Sequence, residues 1–295
     1  MTKLITIEKP DLSDPSRYCK ELEEGNILFL PFVPFAFPEA DLQFLLAQKQ
    51  TGGKNHKNIA YKPKLNTISN AVSLSEEQSK KLLEVMQRYS QSCTTFLSQL
   101  LSPYAANWQI DYASFRPFEE KGRPLRTRAR NDLLHIDSFP TRPMKGNRIL
   151  RFFTNINPAQ DRKWITTDSF EALATRFGGK EVPFHKRSSL MKFAKKLGLP
   201  VTLRSAYDAF MLNLHNFLKE NDAFQQTCQK NYWDFPPNSC WVVFTDQVSH
   251  AAIAGQYALE QTILVPPSTL INPQTAPVAV LEKLSKTSTS ELVCD

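Results

Sequence analysis

Short runs of β-branched and aromatic residues constrain the fold of this chain more than any other feature of its sequence. Four of them stand out, and they read NWQIDYASFRP at 107–117, RILRFFTNINP at 148–158, CWVVFTD at 240–246 and YALEQTILV at 257–265. Val, Ile, Phe, Trp and Thr favour strands, and runs of this length suit strands better than helices. A region with helical periodicity separates the second run from the third. Strands on both sides of a helical region predict one mainly β fold with helices packed outside it.

The helices are predicted from capping residues and apolar periodicity. Ser75 and Gln78 form a capping-box pattern at the start of a helix that runs to about Leu101, and its apolar residues recur at helical spacing. A further helix is predicted after Pro38. Three more, at 168–177, 186–197 and 205–220, belong to a helical insertion near 166–222. Residues 1–268 are predicted to be a single domain with N-terminal helices, and residues 269–295 a C-terminal extension. The extension contains a short helix, AVLEKLSK, and a polar end that we expect to be partly disordered.

Positive charge is concentrated in two short segments. The chain has 295 residues and a formal net charge of +7, and much of the excess lies in KGRPLRTRAR at 121–130 and HKRSSLMKFAKK at 185–196. Such segments suit an anionic partner, which is nucleic acid, an acidic membrane surface or a phosphorylated ligand. A solvated surface is the alternative for both. The first segment, however, runs directly into NDLLHIDSFP, which carries the candidate chemistry.

Several common classes of function have no support in the sequence. No Walker loop, GxGxxG or GxSxG motif is present, and the chain has only nine glycines for such loops. The five cysteines are scattered without a CxxC pair, which disfavours a structural zinc site and a disulfide framework. No apolar stretch approaches the ~20 residues of a spanning helix, and the N-terminus lacks an apolar signal core, so we expect a cytoplasmic protein.

Two histidines and an aspartate form the candidate metal site. His135 and Asp137 are two residues apart at the end of a β-prone run, so on an extended strand both side chains project to the same face. A pair with this spacing also occurs where either residue only caps a turn or forms a hydrogen bond, and a metal needs a third ligand. His250 is the best placed, because it follows the predicted strand at 240–246 and a short turn. Two imidazoles and one carboxylate are the facial triad of non-haem Fe(II) oxygenases.

The three other histidines are not predicted to bind metal. His56 lies in a polar loop, His185 in the second basic segment and His215 in a predicted helix. A surface position or packing within the helix accounts for each of them. Zinc hydrolases are disfavoured as an alternative, since neither HExxH nor a clustered HxH pattern is present.

Taken together, the segments HIDSFPTRP, NRILRFFTNINP, CWVVFTDQVSHAAIAGQYALEQT and GNILFLPF resemble the Kdo hydroxylases. These are Fe(II)- and 2-oxoglutarate-dependent oxygenases that act on the Kdo sugar of Gram-negative lipopolysaccharide, and the resemblance covers most of residues 25–268. It implies a double-stranded β-helix, or jelly roll, with outer helices. It also implies that His135, Asp137 and His250 bind Fe(II), that 2-oxoglutarate and O2 are co-substrates, and that no side chain acts as a general base.

The anchor of 2-oxoglutarate departs from the pattern of many members of this superfamily. Those members hold the far carboxylate with an arginine about ten residues beyond the distal histidine, where this chain reads YALEQT without a base. The strand after the HxD pair offers Arg148 and Arg151, which point to opposite faces. We favour Arg151, because it is embedded among apolar residues, with Gln261 or Thr262 adding a hydrogen bond. A salt bridge outside the barrel is the alternative for either arginine.

The substrate implied by the resemblance is Kdo-lipid A, hydroxylated at C3 of the sugar to give Ko. Carboxylates and phosphates on this substrate suit cationic side chains, and the candidates are Arg116, Arg126, Arg128, Arg130 and Arg142. Because lipid A is anchored in the inner membrane, the protein is expected at the anionic cytoplasmic face, where the amphipathic segment LMKFAKKL would dock. Nucleic acid is not expected as a partner, since no RNA-binding module is recognisable. Two alternatives stay open: a 2-oxoglutarate oxygenase with a protein or nucleic-acid substrate, and a non-catalytic cupin-like binding module.

Overall fold

The structure, a computed structural model, describes residues 2–48, 58–72, 74–184 and 205–291. Its strands are β1 (Leu4–Thr6), β2 (Ile27–Leu30), β3 (Ile59–Lys62), β4 (Thr67–Ser69), β5 (Gln109–Arg116), β6 (Arg148–Asn155), β7 (Arg162–Ser169), β8 (Asn231–Phe235), β9 (Cys240–Phe244), β10 (Val248–Ala254) and β11 (Ala258–Val265). The helices in these ranges are α1 (Pro15–Glu23), α2 (Glu39–Leu46), α3 (Glu76–Leu100), α4 (Ser102–Ala105), α5 (Phe170–Phe177), α6 (Ala206–Glu220), α7 (Asp222–Thr227) and α8 (Pro277–Glu291).

The predicted strands form the centre of an eight-stranded sheet. Its order is β1-β2-β9-β6-β11-β5-β3-β4, so the four runs with strongest strand character lie side by side in the middle. Strand β6 pairs with β9 on one edge and β11 on the other, both antiparallel, and this register places Arg151 opposite Val243 and Thr262. Directly opposed residues share a face of a sheet, so the register decides which side chains enter the interior.

A second sheet of three strands, ordered β10-β7-β8, faces the first. Aromatic side chains from both sheets meet between them: Trp241 of the large sheet stacks on Phe235 at a centroid distance of 4.0 Å, and Phe153 packs edge-on against Trp164 at 4.8 Å. Four large rings fill one end of the space between the sheets and exclude water from it. The candidate metal ligands adjoin this cluster, since Trp164 stacks on His250.

Helix α3 covers the opposite face of the large sheet. Ser75 and Gln78 form the predicted capping box, and the buried stripe from Leu82 to Leu100 packs on the sheet in the largest hydrophobic core. The Tyr89 hydroxyl lies 3.2 Å from the Thr154 hydroxyl in β6. The prediction of a mainly β fold with outer helices is therefore confirmed.

A smaller apolar core positions α6 beside the HxD segment. Leu134 and Ile136, which flank His135, pack against side chains of α5, α6 and α7. Ser205 caps α6 by accepting a hydrogen bond from the Asp208 amide at 3.0 Å. The predicted helix at 186–197 lies outside the described residues, as does the second basic segment.

The C-terminal helix is longer than the sequence predicted. Helix α8 runs from Pro277 to Glu291, and Val280 and Leu281 join the core formed by α5 and α6. The division into a domain of residues 1–268 and an extension stays a prediction. Across the described ranges, we find no helix that combines the length and the apolar character needed to cross a membrane.

Candidate metal centre

Backbone hydrogen bonds bring the HxD segment against β10. The His135 amide donates to the His250 carbonyl at 3.1 Å, the His250 amide donates back at 2.8 Å, and the Asp137 amide donates to the Thr245 carbonyl at 2.7 Å. The segment is thus an extended strand joined to β10 by a single bridge between the two histidines. This pairing places the two imidazoles on the same face, with ring centroids 4.7 Å apart.

A backbone carbonyl holds the Nδ1 atom of each imidazole, which leaves Nε2 as the nitrogen that can bind a metal ion. His135 Nδ1 lies 2.7 Å from the Leu133 carbonyl and His250 Nδ1 lies 2.9 Å from the Val248 carbonyl. A carbonyl only accepts, so Nδ1 carries the hydrogen in both rings and Nε2 keeps its lone pair. Burial lowers the pKa of both imidazoles, which leaves them neutral and able to bind a metal ion at pH 7.

The Asp137 carboxylate completes the group. One ligand atom from each of His135, Asp137 and His250 lies within 4.8 Å of the other two, and all three residues are buried. Burial alone would raise the pKa of the carboxyl, but the charge of the Arg151 guanidinium outweighs it and holds the pKa of Asp137 well below its usual range. Asp137 is therefore ionised.

These residues fit an Fe(II) ion. Arg151 Nε lies 3.0 Å from Asp137 Oδ2, yet the contact lacks the geometry of a hydrogen bond, and this buried oxygen has no hydrogen-bond donor among the described residues. A carboxylate oxygen in this position is available to a cation. Two imidazole nitrogens and one carboxylate oxygen are the donor set that non-haem Fe(II) sites use, leaving three coordination positions open.

The structure brings two of the four candidate 2-oxoglutarate residues to this site. Arg151 and Thr262 lie opposite each other on the interior face of β6 and β11. Besides approaching Asp137, Arg151 lies with its Nη1 3.0 Å from Glu260 Oε1. Thr262 donates its hydroxyl hydrogen to the same oxygen at 3.1 Å. Arg151, the arginine that the sequence analysis favoured as the anchor, thus lies on the interior face.

Arg148 and Gln261 lie on the other face of the sheet, under the outer helices. Arg148 is fully buried, donates from Nε to Asp246 at 2.9 Å and lies 4.0 Å from the Phe244 ring centre. Gln261 donates to the backbone oxygens of Asp111 at 3.1 Å and Thr262 at 2.7 Å. Residues of odd and even number alternate between the faces of these strands, so neither side chain reaches the metal ligands. The structure therefore does not bring these two of the four predicted 2-oxoglutarate residues to the metal ligands.

Glu260 occupies the position ten residues beyond the distal histidine. It is buried between two arginines, pairing with Arg151 on one side and with Arg116 on the other. Burial opposes ionisation of this carboxyl, but the charges of Arg151 and Arg116 lower its pKa. Arg116, with 11% of its side chain exposed, also approaches Glu120 at 3.6 Å, so it pairs with two glutamates.

The remaining candidate substrate residues lie further out. Arg142 pairs with Asp111 and lies between the rings of Tyr112 and Phe139, at 4.0 and 4.3 Å from their centres. Phe139 also contacts Arg151, with the guanidinium carbon 5.3 Å from the ring centre, so Arg142 is separated from the site by one ring.

The arginines of the first basic segment are largely neutralised by nearby carboxylates. Arg128 pairs with Glu220 at 2.6 Å and Arg130 with Asp132 at 2.7 Å, while Arg126 is exposed. Ion pairs near the surface are screened by solvent and are weak. The charge of this segment therefore lies mostly at the surface, where Arg128 and Arg130 are paired with carboxylates of the same chain.

Three residues near the metal ligands were missed by the sequence reasoning. The ring of Trp164 stacks on His250 with a centroid distance of 5.0 Å and an interplanar angle of 17°. His215, expected only to pack within its helix, lies edge-on to His135 at 5.0 Å, and its Nδ1 is 2.6 Å from the Ile136 carbonyl. Lys219 is one helical turn further along α6 and is buried. The available signal was the polar residues Asp208, His215 and Lys219 within the apolar face of α6.

Comparisons with known proteins agree with this geometry. A family model described as 3-deoxy-D-manno-oct-2-ulosonic acid (Kdo) hydroxylase matches residues 8–288. Crystal structures of the Kdo hydroxylase KdoO, a non-haem Fe(II) alpha-ketoglutarate-dependent dioxygenase, are similar over 96% of both chains. The cobalt(II) complex has a TM-score of 0.84 at 31% identity, the complex with alpha-ketoglutarate and Fe(III) 0.84 at 30%, and the complex with succinate and Fe(III) 0.83 at 30%. No curated protein sequence matches the chain.

Proposed function

The chain belongs to the Kdo hydroxylase family and is an Fe(II)- and 2-oxoglutarate-dependent dioxygenase, and from this premise we propose that it hydroxylates C3 of the Kdo sugar in Kdo-lipid A. The observation that carries the proposal is the buried group of His135, Asp137 and His250 with Arg151 beside it. A non-catalytic binding module has no need of three ionisable ligands held in this arrangement. The product would be Ko, in which the deoxygenated carbon of Kdo has gained a hydroxyl.

The metal ligands supply the geometry for the reaction. His135, Asp137 and His250 would hold Fe(II), which, when bound, activates O2 at the expense of 2-oxoglutarate, yielding succinate and CO2. The protein orients both imidazoles through backbone carbonyls and keeps Asp137 ionised through Arg151. Such outer contacts fix a ligand's tautomer and direction, so the site is formed before the metal binds. No side chain is required to remove a proton from the substrate carbon.

Arg151 is the proposed anchor for the far carboxylate of 2-oxoglutarate. Its Nε lies 3.0 Å from Asp137, and Thr262 lies opposite it with a hydroxyl that can hydrogen-bond a carboxylate. A guanidinium matches a carboxylate with two parallel hydrogen bonds. Glu260 and Phe139 restrict Arg151 from two sides, which directs the guanidinium before the co-substrate arrives.

We propose that the lipid-linked sugar enters the site on the side where Phe139 and Arg142 lie. Arg142 is about a quarter exposed, unlike the fully enclosed Arg148, and can contact an anionic group of a ligand entering from solvent. We also propose that the protein works at the anionic cytoplasmic face of the inner membrane, where lipid A is anchored. The segment LMKFAKKL that would dock there lies outside the described residues.

The test is an assay of purified protein with Fe(II), 2-oxoglutarate and Kdo-lipid A, in which mass spectrometry follows the lipid and succinate is measured in parallel. We expect the Kdo sugar to gain one oxygen atom only when iron and 2-oxoglutarate are both supplied. Consumption of 2-oxoglutarate with an unchanged lipid would overturn the substrate and leave the oxygenase. Absence of succinate would contradict the whole assignment.

A further inference from the structure

Lys219 is a buried cation that forms no salt bridge with the residues that the structure describes. Only 3% of the residue is exposed, and its ammonium donates to the Arg128 carbonyl at 3.1 Å. Among the described residues, no carboxylate lies within 4.0 Å of it. The buried arginines differ in this respect: Arg116, Arg148, Arg151 and Arg162 each pair with at least one buried carboxylate.

An unpaired buried charge is costly, by several kcal/mol in ordinary proteins. Burial accordingly lowers the pKa of Lys219 to about 8, while the negative charges of Asp137 and Asp132 oppose the shift. Lys219 follows His215 by one turn of α6, and the ring of His215 contacts the metal ligand His135 at a centroid distance of 5.0 Å. A buried cation in this position is suited to a ligand that brings its own negative charge.

His215 lies on the same face of α6 and extends this site. Residues four apart on a helix are neighbours, so Lys219 lies beside His215, whose ring contacts His135. His215 Nδ1 donates to the Ile136 carbonyl at 2.6 Å, which leaves Nε2 as a hydrogen-bond acceptor. An ammonium that binds an anion next to an imidazole that accepts from a hydroxyl is the pattern expected for a sugar acid.

We propose that Lys219 and His215 form a subsite for the carboxylate and a neighbouring hydroxyl of the sugar acid, an inference that rests on the proposed function. In Kdo, which is 3-deoxy-D-manno-oct-2-ulosonic acid, the carboxylate is C1 and the deoxygenated carbon that reacts is C3, so only C2 separates them. Binding the carboxylate beside His135 therefore holds C3 near the metal ligands. The co-substrate has its own cation in Arg151, on the side of the site formed by Glu260 and Thr262.

The first basic segment acts here through its backbone. The carbonyl of Arg128 orients the Lys219 ammonium, and the Arg128 side chain pairs with Glu220, the residue after Lys219. Both contacts tie the segment to the C-terminal end of α6. Arg128, which the sequence assigned to the substrate, thus positions the lysine that binds it.

The test compares Lys219→Met with the wild type, using calorimetric binding of two Kdo glycosides to protein loaded with cobalt(II) and 2-oxoglutarate. One glycoside carries the C1 carboxylate and the other a carboxamide. The wild type should prefer the carboxylate by roughly thirtyfold, the lower end of what a buried charge pair contributes, and Lys219→Met should lose that preference. Lys163→Met is the matched control and should behave as the wild type, since Lys163 is an exposed lysine of β7 that pairs with Asp234 of β8.

A second readout separates this role from a structural one. If Lys219 stabilised the fold, its removal would lower the melting temperature, whereas removing an unpaired buried charge should leave it unchanged or raise it. In turnover, the KM for Kdo-lipid A should rise while the KM for 2-oxoglutarate stays the same.

Each contrary result has a distinct meaning. Equal preference for the carboxylate in the wild type and Lys219→Met overturns the subsite, and a rise only in the KM for 2-oxoglutarate assigns Lys219 to the co-substrate instead. A wild type that consumes 2-oxoglutarate but binds neither glycoside and leaves Kdo-lipid A unchanged overturns the proposed function itself.

Discussion

Replacing Arg151 by methionine tests the proposed 2-oxoglutarate anchor most directly, because it keeps the length of the side chain and removes the charge. In the wild type, Arg151 lies 3.0 Å from both Asp137 and Glu260. Glu260 still has Arg116 in the variant, but a bound co-substrate would have an unpaired carboxylate in a buried site. Leaving one member of a buried charge pair without its partner costs about 2–5 kcal/mol, so we expect the KM for 2-oxoglutarate to rise by roughly thirtyfold or more.

The same variant should change the pH dependence of metal binding. Arg151 lowers the pKa of Asp137, and a carboxyl must be deprotonated to bind metal. Without Arg151 the pKa of Asp137 rises, so metal affinity should begin to fall at a higher pH than in the wild type as the solution is acidified. Because the folded-state pKa of Asp137 is depressed, the wild-type pair stabilises the fold above the unfolded pKa of about 3.9, and this contribution is lost as the pH falls through the folded value.

The assay measures initial rates of succinate formation against 2-oxoglutarate concentration, together with cobalt(II) titrations between acidic and neutral pH. Arg88→Met is the matched control, since Arg88 is a half-exposed arginine of α3 and its partner Asp41 keeps a second cation in Lys81. An unchanged KM for 2-oxoglutarate in Arg151→Met, with normal metal binding, would refute the reasoning.

Three further predictions use other parts of the site and fold. In His250→Ala, metal-dependent thermal stabilisation and succinate formation should both disappear while the metal-free protein still melts cooperatively; retained cobalt(II) binding would contradict the ligand set. In Glu260→Gln, two buried arginines lose their shared counter-ion, so urea unfolding should show a loss of about 3 kcal/mol, and a neutral result would mean that water or Glu120 replaces it. Burial raises the pKa of Cys19 and Cys240 to about 12, so peptide mapping after thiol labelling of the native protein at pH 8 should find Cys228 modified and these two unmodified; their rapid labelling would contradict the described packing.

The parts of the site that depend on local pattern could be predicted from the sequence. The two-residue spacing of His135 and Asp137 and the alternation of Arg148 and Arg151 are properties of extended chain, and the structure places each pair accordingly. Sequence periodicity did not, however, decide which face of β6 is the interior. That depends on the helix-covered core on one side and the aromatic cluster on the other.

The parts that depend on distant pairing could not be predicted. Arg128 and its partner Glu220 are 92 residues apart, and the carbonyl of Arg128 meets Lys219 across a similar distance in sequence. Nothing local to the basic segment indicates that these charges are neutralised. The contact of His215 with His135 likewise depends on how α6 packs against Leu134 and Ile136, which helical periodicity alone leaves undetermined.

The order of the strands explains the glutamate at position 260, where the sequence resemblance led us to look for an arginine. Strand β11, which carries Glu260, lies between β6 and β5, which carry Arg151 and Arg116. With Arg151 as the proposed anchor, the cation lies on β6 rather than on β11, one strand spacing or about 4.8 Å away, a distance that a long side chain can span. Position 260 faces cations on both neighbouring strands, and an apolar residue there would leave the two arginines to repel each other. A carboxylate at position 260 pairs with both, so the proposal links an anchor on β6 to a glutamate on β11.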